Sequence, residues 1–132
     1  MEELAAKLEK NLKSTIKGYG IVFAEYSIKY EVDPYLSLAI VLHETGCSSG
    51  KCSTLASKCN NIGGMKGSPG CGGGPYKKFK TLDQGIEAFY KNLSKNYYKK
   101  GLTTPETIGK KYAESETWPQ RIKYYINRIK KS

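Results

Sequence analysis

Glu44 is the residue of this chain best placed to do chemistry. It closes the stretch Leu36-Ser-Leu-Ala-Ile-Val-Leu-His-Glu44, whose members up to Leu42 are nearly all apolar. On a helix such a stretch is apolar all round, which marks a helix buried on most sides. A carboxylate in the last turn of that helix meets apolar neighbours and the negative end of the helix dipole, and both disfavour its charged form. An acid that keeps its proton near neutral pH is what cleavage of a glycosidic bond requires, because the departing sugar oxygen gains a proton as the bond breaks. The other use of the same position is a helix-end glutamate whose side chain simply reaches solvent. His43 precedes Glu44 but points about 100° away round the helix, which suits a core or supporting histidine at the edge of a site better than a catalytic one.

The four cysteines, Cys47, Cys52, Cys59 and Cys71, all fall in a Gly/Ser-rich stretch just after Glu44. Their intervals do not match the paired Cys-x-x-Cys of a zinc ribbon. Two disulfides pinning a loop is the better reading, and it implies an oxidising, extracellular destination. Short loops closed by Cys47–Cys52 and Cys59–Cys71 are the expected pairing, one of the three that four cysteines allow. No metal or other cofactor is expected.

The elements that must position these residues are mainly helical. Leu4, Leu8, Leu12 and Ile16 predict an amphipathic first helix ending before Gly18, and Val22, Tyr26 and Tyr30 a second. Asp33-Pro34 reads as an N-cap followed by proline at the first helical position, so the Glu44 helix starts there and stops at Gly46. From Gly46 to Gly74 the chain reads as loop, with a short hairpin whose arms are Ile62–Lys66 and Tyr76–Lys80 around Pro69. Thr81-Leu-Asp-Gln84 is a capping box for a helix carrying Ile86, Phe89, Tyr90, Leu93 and Tyr97. Thr104-Pro105 opens a short helix towards Tyr112. Thr117-Trp-Pro-Gln120 is a second capping box, before a last helix that faces Ile122, Ile126 and Ile129 inward. A single domain over residues 1–132, mainly α with one small β-hairpin (α+β), is the expectation for 132 residues.

Lys and Arg number 22 against 12 Asp and Glu, a formal net charge of +10, which attracts polyanions. Nucleic acid, anionic lipid and the anionic polymers of a Gram-positive wall all meet that description. Nucleic acid is set aside because the lysines are scattered instead of interleaved with aromatics in one basic run. No apolar run approaches the ~20 residues of a membrane span. The start, Met1-Glu2-Glu3-Leu4, lacks the basic and apolar regions of a signal peptide, so export by another route, as for phage lysins, and excision from a longer protein both stay open.

Four segments in order carry a resemblance. Leu38-Ala-Ile-Val-Leu-His-Glu44-Thr-Gly46, then Asn60-Asn-Ile-Gly-Gly-Met-Lys-Gly67, resemble the catalytic glutamate helix and following Asn-rich strand of the glucosaminidases of glycoside hydrolase family 73. Tyr76-Lys-Lys-Phe79 with Thr81-Leu-Asp-Gln-Gly-Ile86 resembles that family's strand leading into its next helix. Tyr112-Ala-Glu-Ser-Glu-Thr-Trp-Pro-Gln-Arg-Ile122 keeps the spacing of its Tyr-Ala-Thr-Asp-Pro-x-Tyr-x-x-x-Ile segment. The resemblance runs from Asp33 to Ile129. It implies a lysozyme-like fold and hydrolysis of the β-1,4 bond on the reducing side of N-acetylglucosamine in peptidoglycan, as an autolysin or endolysin does, with Glu44 as general acid. The chain is expected to act as a monomer, outside the cell or at the cell wall.

Two departures bear on the second catalytic group. The family's hairpin carries Thr-x-Glu-Tyr, and between Lys66 and Tyr76 this chain has only Gly, Ser, Pro and Cys; the family's Asp-Pro is replaced by Ser115-Glu116. Asp33 is a cap, Asp83 and Glu106 lie in first turns, Glu25 pairs with Lys29, and Glu87 follows Asp83 on a polar face. That leaves Glu114 and Glu116, with Tyr112 as a group able to position water or steady a positive transition state. Candidate substrate contacts are Asn61, whose amide suits acetamido and hydroxyl groups, Tyr76 and Trp118, whose rings suit stacking on pyranose faces, and His43. Tyr112 and Trp118 also read as core aromatics, and Asn60 as a turn cap. Two alternatives stay open: a muramidase or lytic transglycosylase of the same fold, and a wall-binding module that no longer cuts.

Overall fold

A computed structural model of the chain describes residues 1–112 and 115–132. Among them are seven α-helices: α1 (Glu2–Glu9), α2 (Gly20–Lys29), α3 (Pro34–Thr45), α4 (Thr54–Cys59), α5 (Leu82–Asn96), α6 (Pro105–Tyr112) and α7 (Trp118–Lys131). The chain is thus a mainly α domain. Among the described residues no helix is long and apolar enough to cross a membrane.

α3 is the central rod. Asp33 Oδ1 accepts from the amides of Tyr35 (2.8 Å) and Leu36 (3.3 Å), Pro34 occupies the first turn, and Gly46 closes the helix in the left-handed region at φ 69°. That cap is why the helix begins and ends where it does. Every residue from Leu36 to Leu42 is buried. The one polar member, Ser37, shares a 2.8 Å hydrogen bond with the buried Tyr90 hydroxyl of α5, so its burial costs little. α7 lies along α3, and α1 lies along α2. Leu8, Phe23, Leu38, Ile40, Ile86, Phe89, Leu93, Trp118, Ile122 and Ile129 meet in one core.

One helix end and one helix start differ from the sequence expectation. α1 ends at Glu9, seven residues before Ile16, because the Glu9 carboxylate turns to accept the amides of Gly18 (2.7 Å) and Gly20 (2.8 Å) at the start of α2. Leu12 and Ile16 still reach the core, from a turn and a 3₁₀ segment. At α7, Thr117 makes no side-chain cap; its hydroxyl pairs with Ser115 Oγ at 2.9 Å.

The expected hairpin is reduced to two isolated bridges, Lys66 with Tyr76 and Gly70 with Lys77. Segments 65–67 and 69–71 take opposite edges of residues 75–78, through bonds such as Lys77 N–H to Met65 O (2.9 Å) and Lys78 N–H to Pro69 O (2.8 Å). Glycines at 67, 70, 72, 73 and 74 supply no side chains to pack across a ladder, so no strand forms. Two other devices hold the segment: the Cys59–Cys71 disulfide, and Asn60, whose amide donates to Phe79 O at 3.0 Å. α5 crosses Asn60 so closely that a Cβ at Gly85 would run into the Asn60 carbonyl. α4 is a helix within the expected loop, capped by Ser53 Oγ, which accepts from the Ala56 amide at 3.3 Å.

Candidate active site

Glu44 emerges at the exposed end of the buried rod α3. The desolvation expected from its apolar helix is therefore not met at the side chain: burial stops at Thr45 and Leu42, and the carboxylate faces out. What holds it is Trp118, whose indole Nε1–H donates to Glu44 Oε1 at 3.1 Å. Trp118 is 2% exposed, so its ring is not open for stacking on a sugar; it is a core aromatic that presents its polar edge to the acid. Gly109 of α6 makes room for it, since a Cβ there would sit 3.0 Å from the indole.

Tyr112 completes the group. Its ring stacks on Trp118 with centroids 5.6 Å apart and planes 25° from parallel, and Tyr97 flanks it at 5.8 Å. The Tyr112 hydroxyl donates to Gly63 O at 3.0 Å. Burial first, then the nearby Glu44 carboxylate, then Tyr97, push the Tyr112 hydroxyl above the ordinary phenol range, so it stays a neutral donor. Beside it is a hollow of about 180 Å³ lined by Gly63, Gly64, Met65, Asn92, Tyr97 and Tyr112. Lys111 stands over the Tyr97 ring at 4.9 Å and donates to Asn96 O at 2.9 Å, adding a positive charge to that side.

Asn61 builds the wall of this hollow. It is 1% exposed; its amide donates to Met65 O (2.8 Å) and Lys77 O (2.9 Å), and its Oδ1 accepts the Met65 amide (3.0 Å). The side chain expected to meet an acetamido group is thus occupied inside the fold, clamping residues 61–65 to residue 77. Tyr76 is 39% exposed and neither it nor His43 lines the hollow beside Tyr112. His43 lies 6.1 Å from the Tyr125 ring and lines a separate hollow with Gln120, Arg121, Tyr124 and Tyr125. Glu116 is exposed in the turn before α7, and Glu114 lies outside the described residues.

The structure therefore gathers Glu44, Tyr112 and Trp118, and leaves Tyr76 and His43 apart from Tyr112's hollow. Gly63, Gly64, Met65, Asn92 and Tyr97 were not singled out as site residues from sequence. Tyr97 reads there as one more member of the α5 apolar stripe. The expected disulfides Cys47–Cys52 and Cys59–Cys71 are both present. The first lies directly beyond Glu44, where Ser53 N–H returns to Thr45 O at 2.8 Å. Among the described residues no group of three or more His, Cys, Asp or Glu side chains is gathered as a metal site.

An acid at the open end of a buried helix, faced by a loop wall and an aromatic pair, sets this domain in the mainly α, lysozyme-like class. Within that class the chain belongs to the Glucosaminidase family, described as mannosyl-glycoprotein endo-beta-N-acetylglucosaminidase, which matches residues 21–131. This is the family that the Glu44, Asn60–Gly67 and Tyr112–Ile122 segments resemble. Membership makes the chain a glycoside hydrolase of endo-β-N-acetylglucosaminidase type, and peptidoglycan is the substrate class that the family implies. A search of curated proteins finds no match.

Proposed function

We propose that the chain hydrolyses the β-1,4 bond on the reducing side of N-acetylglucosamine in the glycan strands of bacterial peptidoglycan, outside the cell or at the wall, with Glu44 as general acid. The observation that carries this is Glu44 itself, exposed at the end of a rigid rod and oriented by the Trp118 N–H at 3.1 Å. The Glu44 carboxyl gives its proton to the bridging oxygen as the C1–O bond breaks. Water then adds to C1 and returns a proton to the carboxylate. Tyr112, kept neutral, steadies the Gly63 wall and offers its hydroxyl oxygen towards the positive ring carbon.

A protein nucleophile would need a second carboxyl ~5–5.5 Å from Glu44, and an inverting base one ~6.5–9.5 Å away. That second role falls to Glu114, Glu116 or the substrate's own acetamido oxygen. The family assignment favours cleavage after N-acetylglucosamine over the muramidase and transglycosylase alternatives. Mass spectrometry of borohydride-reduced digests of purified walls tests the bond: reduced N-acetylglucosamine ends are expected. Reduced muramic acid or anhydromuramic ends would replace this reading with a muramidase or a transglycosylase. Tyr112→Phe is expected to slow release without changing the product.

A further inference from the structure

A hollow of about 440 Å³ lies away from Glu44. It lies between residues 77–80 and one face of α5, and Lys77, Lys78, Lys80 and Lys91 line it together with Gln84 and Glu87. The ion pairs among the described residues are Lys29–Glu87 and Lys123–Glu106, so none of the four lysines has a carboxylate partner there. Glu87, the acid among the described residues that line the groove, is already engaged: Tyr30 donates to it at 2.5 Å and Lys29 at 3.1 Å. The groove thus presents four ammonium groups, none in an ion pair among the described residues, around the Gln84 amide and the engaged Glu87, whose carboxylate feels the charge of Lys91.

One wall is also fixed before any ligand arrives. Residue 77 is held through its carbonyl by Asn61, Phe79 is held through its amide by Cys59 O at 3.0 Å and through its carbonyl by Asn60, and Cys59–Cys71 closes the loop behind them. The Lys77 stem is half-buried, with its ammonium 5.2 Å from the Phe79 ring centre. Lysines placed by a clamped backbone lose less freedom on binding than lysines on a mobile tail.

We propose that this groove is a second binding site, for a flexible phosphodiester polymer of the cell wall, separate from the glycan cleft. Lysine ammonium groups bind phosphate as point charges without the fixed geometry of a guanidinium fork, which suits oxyanions repeated along a flexible chain. The groove offers no open aromatic face for base stacking, because Phe79 is 8% exposed beneath Lys77, which disfavours single-stranded nucleic acid. The Asn61 clamp places the groove behind the same loop that walls the Tyr112 hollow. A chain held there keeps the cleft at the wall surface and raises its effective concentration on glycan. The choice of a wall polymer as the phosphate source rests on the peptidoglycan reading; the site itself does not.

The test is binding, so it does not depend on hydrolysis. Lipid-free poly(glycerol phosphate) is titrated into wild type, into a groove variant (Lys77, Lys78, Lys80 and Lys91→Gln), and into a control of equal charge (Lys10, Lys13, Lys17 and Lys95→Gln). The groove variant should lose about tenfold or more in affinity and show a flatter salt dependence, with the control within about twofold of wild type. Equal loss in both variants, or loss in neither, overturns the site. A single-stranded oligonucleotide that binds wild type more tightly than the polymer, and depends on the same four lysines, overturns the choice of ligand. Melting temperature is the folding control; if the groove variant is unstable, Lys78→Gln and Lys91→Gln, on opposite walls, carry the same comparison.

Discussion

The indole N–H of Trp118 donates to Glu44 Oε1 across 3.1 Å, joining the first turn of α7 to the last turn of α3 over 74 positions of sequence. Trp118→Phe keeps a buried ring and removes the donor. It should lower kcat by roughly tenfold with little change in KM, because a hydrogen bond to a charged group contributes about 1.5–3 kcal/mol. Trp118→Ala instead should cost about 3–5 kcal/mol of stability through the cavity it leaves. Steady-state kinetics and thermal melts on both variants separate aim from packing. Unchanged kcat in Trp118→Phe would show that the bond does not orient the acid.

Glu44→Gln removes the proposed proton donor and leaves an amide oxygen able to accept from Trp118. Turbidity loss of a wall suspension should fall by at least on the order of 10²–10⁴, while the melting temperature stays near that of wild type because the side chain is exposed. Lysis near the wild-type rate would remove Glu44 from the mechanism.

Asn61→Ala distinguishes a clamp from a sugar contact. It leaves Met65 N–H, Met65 O and Lys77 O without their side-chain partner, and each buried polar group so stranded costs about 1–3 kcal/mol. The variant should lose several degrees of melting temperature together with activity. Raised KM at unchanged stability would return Asn61 to the substrate.

The two disulfides span 5 and 12 positions, for which loop closure predicts about 2 and about 3 kcal/mol. Mild reductant, well below the melting temperature, should lower activity before helicity falls, since Cys47–Cys52 borders Glu44 and Cys59–Cys71 backs the cleft wall. Paired Cys47→Ser/Cys52→Ser and Cys59→Ser/Cys71→Ser variants assign the effect to one bridge. Activity that holds until helicity is lost would show that neither bridge shapes the cleft.

Glu87 gives the fold a weak acid sensitivity. The Tyr30 hydroxyl, and after it the Lys29 ammonium, hold its carboxyl below the ordinary glutamate value of about 4.5. A carboxyl depressed in the folded state contributes stability above its unfolded value and loses it as pH falls through the folded one. The wild-type melting temperature should therefore drop more steeply than that of Glu87→Gln below about pH 4.5, the two curves converging at lower pH. Parallel curves would show that the network stores no such stability; the site is largely exposed, so the difference should be small.

What sequence made legible follows from how local each signal is. Asp33-Pro34 and Gly46 bound α3 by chemistry within a turn of the helix ends, and the helix runs from Pro34 to Thr45. The short-range cysteine pairs formed as expected for the same reason. Side-chain direction is not local. Asn61 and Trp118 have the right types for sugar contact, yet one faces the Met65 backbone and the other the core, and only the packing of α5, α6 and α7 decides that. The first helix breaks at Glu9 because a carboxylate from one helix caps another, a relation that an apolar repeat cannot reveal. The hairpin shrank to two bridges because glycine permits the bends and gives a ladder nothing to pack.

The Asn61 clamp does the work of a missing ladder, and it does so upstream of the loop tip. Gly72 and Gly73 have positive φ and open space around their Cα atoms, between the Cys71 bridge and Pro75. Length at that tip is therefore uncoupled from the cleft: residues added between Gly72 and Gly73 hang outside a frame already closed at Cys71, Asn61 and Phe79. The domain carries a natural insertion point, where foreign peptide or a longer recognition loop can be grafted while the acid and its wall keep their places.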